Sequence, residues 1–335
     1  MAANSPELLR PSGADGAPRP PARAPVVVVW DSERAVPHEP TTPLVRADDG
    51  AVLRGDGLFE TLRTHDGRIF LLDEHLARLA RSADALQLAV PPPAAWRTLA
   101  RTATDLFYSV PPVPPGSTAP AGPAKAPAEG PDGRLRLAAT RGPAGGEPVV
   151  YALLEPVGAS VVAARTRGVD ALTLSLGVTA AGRGDAPWLL PGTKHLSYAV
   201  PMAAQRFAEA AGAAEVLWVS ADGEVLEGAT SSLVAVLGGR AYTPPPAELG
   251  LLAGTTVAAL ARLAERAGLP GGIAERRITL TELAAADEAM LVSSIRGVAP
   301  LVRLDGRPVG TGEPGPVVIT LRDALEDAVR RGALD

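Results

Sequence analysis

The sequence predicts a fold of the α+β or α/β class that is divided into two domains. The chain has 335 residues, which is more than one small domain needs. Hydrophobic residues make up 46% of the chain and charged residues 21%, a composition typical of proteins with a large buried core. Segments with the period of a strand alternate with segments of helical period in both halves of the chain.

Two proline-rich segments interrupt this alternation. Residues 1–24 are rich in Pro, Ala, Gly and Arg and have no hydrophobic period, so we predict a disordered tail. Residues 110–133 contain eight prolines and are predicted to be an insertion in a surface loop, without helix or strand. The insertion interrupts a predicted small N-terminal α/β domain of residues 25–157, and a larger C-terminal domain follows over residues 158–335.

The N-terminal domain is predicted to contain strands that pack with two helices. A turn at residues 65–68 joins two of the strands. Apolar residues then repeat at helical spacing over residues 76–86, with Asp73 as the expected N-cap. The segment of residues 91–108 begins with prolines and ends in a second predicted helix. The predicted strands are 26–30, 58–64, 69–71, 135–140 and 149–154.

The C-terminal domain is predicted to continue the alternation of strands and helices. Asp222-Gly223 and Asp305-Gly306 are turn signals between strands, and Gly212 follows the last turn of a helix. The predicted helices are 197–211, 255–267 and 317–331. The predicted strands are 172–179, 215–220, 225–227, 232–237, 273–278, 289–292, 301–304 and 308–309.

Charge and cysteine content argue against several functions. The formal net charge is −5 and there is no long basic stripe, which disfavours a nucleic-acid partner. Without cysteine the chain has no disulfide, thiolate metal site or catalytic cysteine, and its four histidines are not spaced as a metal pair. No apolar run approaches the length of a membrane span, and no signal-peptide core is visible. We therefore expect a soluble cytoplasmic protein without a bound metal.

Lys194 is the strongest candidate for a catalytic residue. It follows Pro191-Gly192-Thr193 just before a predicted helix, and Lys125 is the only other lysine of the chain. A solvated surface charge is the common role of such a residue, but arginine, which this chain uses widely, would serve that role equally well. Only lysine can lose its proton and form an imine with a carbonyl compound, because guanidinium stays protonated.

Glu227 and Arg78 carry weaker signals, and each has a simpler explanation. Glu227 ends a predicted strand 33 positions after Lys194. It is either a solvated carboxylate or the partner that keeps a cofactor ring nitrogen protonated. Arg78 lies between the apolar positions of its helix and is either solvated or a ligand of a phosphate group.

The start of the helix at residue 255 is a candidate phosphate site. Backbone N–H groups at Thr255 and Thr256 could cradle an anion, and Gly254 would let the backbone approach closely. The simpler reading is a plain capped helix. Ser294 could add a hydroxyl hydrogen bond to the same anion.

In their order along the chain, these motifs resemble one family. The motifs are Gly55-Asp56-Gly57-Leu58-Phe59-Glu60-Thr61-Leu62-Arg63, His75-Leu76-Ala77-Arg78-Leu79, Lys194, Asp222-Gly223, Glu227-Gly228 with Thr230-Ser231, and Leu252 with Gly254-Thr255. Together they resemble the class IV aminotransferases, which include branched-chain aminotransferases, D-amino acid aminotransferases and aminodeoxychorismate lyases. The resemblance extends from about residue 26 to about residue 330 and omits only the tail and the proline-rich insertion.

The resemblance implies fold type IV of the pyridoxal-phosphate enzymes, like that of D-amino acid aminotransferase. In this fold the cofactor lies in the cleft between two domains, and the subunits form homodimers. Lys194 is then the Schiff-base lysine for pyridoxal 5′-phosphate, Glu227 the partner of its pyridine nitrogen and Tyr198 a partner of its phenolic oxygen. Ser232 departs from the pattern, since many members have Asn there, which affects a contact outside the reacting atoms. The implied phosphate ligands are Arg78, Gly254, Thr255, Thr256 and Ser294.

Two segments favour a lyase over a transaminase. Residues 192–199 with Met202, and residues 294–300, resemble aminodeoxychorismate lyases, and the Tyr-Ile-Arg-Pro segment typical of branched-chain enzymes is missing. The resemblance therefore implies conversion of the small-molecule substrate 4-amino-4-deoxychorismate to 4-aminobenzoate and pyruvate. Arg296 either binds a substrate carboxylate or braces a loop. The alternatives are a branched-chain or D-amino acid aminotransferase, and a non-catalytic protein of the same fold.

Overall fold

The computed structural model describes residues 23–109, 128–269 and 271–334 of the chain. It contains two β-sheets with helices packed on them, which confirms the predicted α+β class. Residues 1–22 of the predicted tail and residues 110–127 of the predicted insertion lie outside the described residues.

The first sheet has six strands and is antiparallel throughout. Its strands are β1 (Val26–Asp31), β2 (Arg34–His38), β3 (Gly57–His65), β4 (Arg68–Ile69), β5 (Ala128–Thr140) and β6 (Val150–Gly158). Their spatial order is β2-β1-β6-β5-β3-β4.

The second sheet has nine strands and is mixed, with parallel and antiparallel neighbours. Its strands are β7 (Val169–Ser175), β8 (Glu215–Val219), β9 (Val225–Gly228), β10 (Ser232–Leu237), β11 (Arg240–Thr243), β12 (Ile273–Glu275), β13 (Glu288–Ser293), β14 (Gly297–Leu304) and β15 (Arg307–Pro308). Their spatial order is β12-β11-β10-β13-β14-β7-β8-β9, and β15 pairs with β14. We propose the domain division at residues 157 and 158, at the last residues of β6, because all strands of the second sheet follow this point.

Ten α-helices are found in the described part of the chain. They are α1 (Gly50–Arg54), α2 (Leu72–Ala85), α3 (Pro93–Ser109), α4 (Ala159–Arg167), α5 (Ala180–Gly184), α6 (Ala199–Ala210), α7 (Pro246–Leu249), α8 (Thr255–Arg266), α9 (Leu280–Ala284) and α10 (Pro316–Arg331). A 3₁₀ turn at Pro187–Leu189 precedes the lysine segment. Within the described ranges, no helix combines the length and the apolar character needed to cross a membrane.

The first sheet buries one face under α2 and α3. The alternation of β3 places Leu58 and Leu62 on that face, where both are fully buried. Trp96 and Leu99 of α3 belong to the same core. Burying a side chain of this size contributes roughly 1.5–3 kcal/mol. The opposite face carries Phe59, whose ring contacts the Lys194 amine.

The second sheet carries α8 and α10 on one face. Leu260 of α8 and Leu325 of α10 pack with Met290 and Val292 of β13 in one buried core. The start of α8 is therefore held at a fixed place beside the sheet, and this start is part of the candidate active site.

Several local features differ from the sequence-based expectation. Helix α2 begins at Leu72, with Leu71 in the N-cap position at φ 57°, so Asp73 lies in the first turn, where its charge still favours the helix dipole. Strand β5 begins at Ala128, so residues 128–133 belong to a strand and not to a loop. Helix α4 was not predicted because it buries only Arg165 and has no apolar period.

A buried charge network joins the two sheets. The Arg63 guanidinium of β3 donates to both carboxylate oxygens of Glu326 in α10, at 2.7 Å each. Asp132 of β5 lies 2.7 Å from Arg63 and 2.8 Å from Arg165 of α4. Arg165 also donates to the carbonyl oxygen of Ile295 at 2.7 Å, so the network reaches the loop beside Ser294.

Candidate active site

The lysine segment lies against the start of β3. The N–H of Phe59 donates to the Lys194 carbonyl oxygen at 3.2 Å, and the N–H of Leu196 donates to the Gly57 carbonyl oxygen at 2.8 Å. A Cβ at Gly57 would lie 2.5 Å from the Ala139 carbonyl oxygen and 2.7 Å from Leu196 Cδ1. Glycine is therefore required at this position for the lysine segment to approach the sheet.

The Lys194 amine projects into a half-buried space lined by aromatic rings. Its Nζ lies 3.4 Å from the Tyr198 hydroxyl and 4.4 Å from the centre of the Phe59 ring. The Tyr198 and Phe59 rings meet edge to face, with centroids 5.1 Å apart. Among the described residues, no carboxylate forms an ion pair with this amine.

The surroundings of Lys194 favour the neutral amine. Burial lowers the pKa of Lys194 to about 8, and the nearby guanidinium groups of Arg78 and Arg136 act in the same direction, against the opposing charges of Glu60 and Glu227. The unprotonated fraction of the amine near neutral pH is therefore much larger than for an ordinary lysine, which favours an imine-forming nucleophile. The pKa of Tyr198 is raised to about 12 by burial, so its hydroxyl stays protonated and can donate.

Glu227 lies at the end of β9, close enough to Lys194 for its charge to affect the lysine pKa. Its Oε2 accepts a hydrogen bond from the N–H of Leu252 at 3.3 Å. This bond holds the carboxylate beside the segment that leads into α8. The structure thus brings together the amine and the carboxylate that the sequence predicted.

The start of α8 presents backbone N–H groups that the helix itself does not use. Gly254 is the N-cap residue, and no side chain caps the first turn. A Cβ at Gly254 would lie 2.8 Å from Ser232 Oγ, so the packing at this position is close. Thr255 and Thr256 are buried in this turn. Unpaired N–H groups and the positive end of the helix dipole favour a bound phosphate.

Arg78 reaches the same place from α2. Its Nη1 donates to the carbonyl oxygen of Ala253 at 2.8 Å, and its Nε and Nη2 each donate to Glu60 at 2.7 Å. Arginine has five N–H donors, so two remain for another acceptor. Arg78 is therefore held at the start of α8 by protein contacts and still has donors for a phosphate oxygen.

A buried Glu60–His75 pair, which sequence reasoning missed, lies beneath this turn. His75 Nδ1 lies 2.8 Å from Glu60 Oε2, and His75 Nε2 lies 3.2 Å from Thr255 Oγ1 and 3.4 Å from Ser294 Oγ. Burial alone would raise the pKa of the Glu60 carboxyl, but Arg78 and His75 hold it well below its ordinary value. The available signal was the alternation of β3, which puts the charged Glu60 on the same face as Leu58 and Leu62.

Arg136 borders the site, and Arg296 lies in the same loop as Ser294. The Arg296 Nη2 pairs with Glu215 at 2.5 Å, while its buried Nη1 makes no hydrogen bond to the described residues. Burial raises the pKa of the Glu215 carboxyl, against the lowering effect of Arg296. Arg136 of β5 places its guanidinium 5.5 Å from the centre of the Phe59 ring and has no ion-pair partner within the described ranges. Sequence reasoning did not single out Arg136.

These features fit pyridoxal 5′-phosphate at three separate points. The half-buried Lys194 amine suits the aldehyde, and the Glu227 carboxylate suits a protonated ring nitrogen. The uncapped turn at Gly254 and the two remaining donors of Arg78 suit the phosphate.

Known proteins agree with this assignment. The family model described as amino-transferase class IV matches residues 57–304. A protein of Mycobacterium tuberculosis described as a bifunctional aminodeoxychorismate lyase / D-amino acid transaminase is 38% identical over 89% of this chain and 98% of its own length. A D-alanine aminotransferase of Bacillus licheniformis is 28% identical over 85% and 92%. The solved PLP-bound form of a hypothetical aminotransferase from Mycobacterium tuberculosis has a TM-score of 0.79 at 35% identity, covering 92% of this chain and 99% of that one.

Proposed function

The chain belongs to the class IV aminotransferases, and from this membership we propose that it is an aminodeoxychorismate lyase. Its cofactor is pyridoxal 5′-phosphate. The proposed reaction converts 4-amino-4-deoxychorismate to 4-aminobenzoate and pyruvate, and the name of the 38% identical relative includes this activity. The observation that carries the proposal is the Lys194 amine, whose lowered pKa suits it to act as nucleophile and as base.

In this proposal each end of the cofactor has its own protein partner. Lys194 holds the aldehyde carbon, Glu227 keeps the ring nitrogen protonated and the Tyr198 hydroxyl donates to the phenolic oxygen. Bound pyridoxal phosphate supplies an electron sink next to the substrate nitrogen. The phosphate is held by Arg78, Gly254, Thr255, Thr256 and Ser294.

Lys194 is also the residue that moves the proton. When the substrate amino group replaces Nζ at the cofactor aldehyde carbon, the freed neutral amine would accept the proton from C4 of the substrate ring. The C–O bond to the enolpyruvyl group then breaks, the ring becomes aromatic, and the leaving enol takes up a proton to give pyruvate. The Phe59 and Tyr198 rings lie beside Nζ and would limit the access of water during this transfer.

Two arginines are proposed ligands for the two carboxylates of the substrate. This role suits Arg136, because its guanidinium lacks an ion pair among the described residues and is close enough to Lys194 to lower the pKa of the lysine. The same role suits Arg296, because its buried Nη1 makes no hydrogen bond to the described residues while its Nη2 is held by Glu215. A guanidinium binds a carboxylate with two parallel hydrogen bonds.

The proposed homodimer is supported by an exposed apolar surface close to the lysine segment. Ser197 Oγ donates to the Gly55 carbonyl oxygen at 3.0 Å, so the end of α1 lies beside the start of α6. Such a surface is typical of a subunit interface. Sedimentation measures the mass in solution, and a monomer at micromolar concentration would contradict this part of the proposal. The exposed residues are Val52, Leu53, Trp188, Leu189, Val200 and Phe207.

The lyase is tested by supplying its substrate. Chorismate and glutamine with a separate aminodeoxychorismate synthase generate the substrate, and 4-aminobenzoate and pyruvate are then assayed together. We expect both products in equal amounts from the protein loaded with pyridoxal phosphate, and no turnover from Lys194→Ala. Turnover by Lys194→Ala would contradict every catalytic reading of the site.

The same protein sample can be used to test a second candidate function, that of a transaminase. A D-amino acid transaminase is favoured by the bifunctional relative and by the D-alanine aminotransferase. A protein that binds the cofactor but releases neither product, and whose cofactor absorbance is bleached by D-amino acids, is a transaminase and not a lyase.

For a lyase, we further propose a cytoplasmic role in folate biosynthesis. Expression in a strain without its own lyase should then remove its requirement for 4-aminobenzoate.

A further inference from the structure

The Glu60–His75 pair fixes where the histidine ring carries its hydrogen. His75 Nδ1 faces Glu60 Oε2 at 2.8 Å and Arg78 Nη2 at 3.4 Å. The carboxylate can only accept, so the short contact to Glu60 requires a hydrogen on Nδ1, and Arg78 Nη2 at the longer distance of 3.4 Å then makes no hydrogen bond to this nitrogen. In the neutral ring Nε2 is then a pure acceptor.

This tautomer determines the direction of two hydroxyl groups. Thr255 Oγ1 and Ser294 Oγ lie 3.2 and 3.4 Å from Nε2. Each hydroxyl has one hydrogen, and a hydroxyl that donates to Nε2 presents only lone pairs to an anion at the start of α8. A hydrogen on Nε2 reverses this arrangement, because Nε2 then donates and both hydroxyls can donate to the anion.

We propose that His75 is a positioning residue for the cofactor phosphate, and that a phosphate monoester dianion binds at the start of α8 together with one proton. The proton comes from solvent and is held by His75 Nε2. The inference depends on cofactor binding and not on which reaction the enzyme catalyses, so it stands if the protein is a transaminase.

The charges around His75 support a change of protonation on binding. Burial lowers the pKa of His75, the Glu60 carboxylate on β3 raises it, and Arg78 on α2 and Lys194 before α6 lower it. Helix α8 and the loop after β13 bring only the uncharged hydroxyls of Thr255 and Ser294 against the ring. The ring is therefore neutral near pH 7 without an anion, and a dianion beside it favours the charged form.

The sign of the pH dependence follows from this linkage. The bound state holds one more proton than the two separate partners, so binding weakens as the pH rises, by about tenfold per pH unit. The effect appears above about pH 7, because the second pKa of a phosphate monoester is about 6 and acid conditions remove the dianion itself.

Calorimetry with pyridoxamine 5′-phosphate tests the proposal. This ligand has no aldehyde, so it forms no imine, and the Lys194→Ala chain removes the titration of Lys194. Binding is measured in buffers with different ionisation enthalpies, which gives the number of protons taken up. The readout is the number of protons taken up by Lys194→Ala minus the number taken up by the double variant Lys194→Ala, His75→Asn. Protons taken up by the ligand and by Glu227 are the same in both variants and cancel in this difference.

We expect His75→Asn to take up about one proton less and to lose the tenfold dependence on pH. Asn retains an N–H near Glu60 but has no group at the Nε2 position. The matched control is His38→Asn on β2, outside the site, which should keep the full uptake. Equal proton uptake with and without His75 would overturn the proposal.

A second measurement needs no substitution and covers the case in which His75→Asn does not fold. The chain has four histidines. Nitrogen spectra of the histidine-labelled protein distinguish neutral from charged rings, and we expect one ring to become charged when pyridoxamine phosphate binds near pH 8. If every histidine keeps its charge state on binding, the proposal is wrong.

Discussion

At the scale of single residues, burial is the main cause of the lowered pKa of Lys194, and two cations that the amine does not touch add to it. Arg78 and Arg136 both lower the pKa of Lys194, which is about 8. Arg78 is itself neutralised by a close ion pair with Glu60. Arg136 has no such partner among the described residues, so its charge is available both to the amine and to a substrate carboxylate.

Replacing Arg136 by Gln should raise the pKa of Lys194. Loss of a nearby positive charge stabilises the ammonium form, so imine formation between the apoprotein and pyridoxal should shift from a midpoint near pH 8 to a higher pH. The KM for the substrate should also rise, by about tenfold or more, because a charged hydrogen bond contributes roughly 1.5–3 kcal/mol.

The matched control for this experiment is Arg134→Gln on the same strand. Arg134 pairs with Glu155 at 2.9 Å and does not act on Lys194. If both variants shift the midpoint equally, or if neither does, the proposed role of Arg136 is wrong. Absorbance of the imine against pH is the measurement.

From the sequence alone, we could predict the site residues whose chemical role can be filled by only one residue type. An imine requires lysine, and a cradle for phosphate requires a glycine before a helix, so Lys194 and Gly254 could be predicted. The roles of Glu60 and His75 depend on their contact with each other across two elements. Arg136 is one arginine among many in the sequence, and only its place beside the Phe59 ring and Lys194 in the fold distinguishes it.

At the scale of elements, the contact between β3 and the lysine segment builds the site. The paired hydrogen bonds of Phe59 and Leu196 hold the segment on the strand, and Gly57 makes the contact close enough. Packing alone therefore explains why glycine occurs in the Gly55-Asp56-Gly57 motif, whichever reaction the protein catalyses.

Replacing Gly57 by Ala should displace the lysine segment. The new Cβ would meet the Ala139 carbonyl oxygen at 2.5 Å, and overpacking of this kind costs about 1–3 kcal/mol. We expect a lower melting temperature and at least tenfold weaker binding of pyridoxal phosphate. Gly158→Ala is the control, because a Cβ there meets nothing within 4 Å. Wild-type cofactor affinity in Gly57→Ala would contradict this account.

Most strands and long helices of the fold could be predicted because their faces alternate clearly between apolar and polar residues. Helix α3 shows this, since its buried positions follow the helical period. Helix α4 and strand β2 could not be predicted, because α4 buries one arginine and β2 buries no side chain fully. Such elements take their structure from their neighbours and not from their own sequence pattern.

At the scale of the whole molecule, charged residues join the two sheets. The Asp132 carboxylate lies within 2.8 Å of side-chain nitrogens of Arg63, Arg165 and His65. Burial alone would raise the pKa of the Asp132 carboxyl, but Arg63 and Arg165 hold it below its ordinary value. Its contribution to stability is therefore complete above the unfolded pKa near 4 and is lost as the pH falls through the lower folded value.

Replacing Asp132 by Asn should destabilise the protein by about 3–5 kcal/mol at pH 7, because two buried guanidinium groups lose their shared partner. The acid limb of the curve of unfolding free energy against pH should become less steep. Asp48→Asn is the control, since the Asp48–Arg46 pair is exposed and should change stability by about 0.5 kcal/mol or less. Denaturant unfolding followed by circular dichroism gives both quantities, and equal effects of the two variants would contradict the account.

Arg165 connects this network to the carbonyl oxygens of Ile295 and Arg296, beside Ser294. A rotation of one sheet against the other would have to break these bonds and the Arg63–Glu326 pair together. The network therefore opposes such a rotation. We expect the shape of the entrance to the site, more than an opening movement, to limit which molecules reach Lys194.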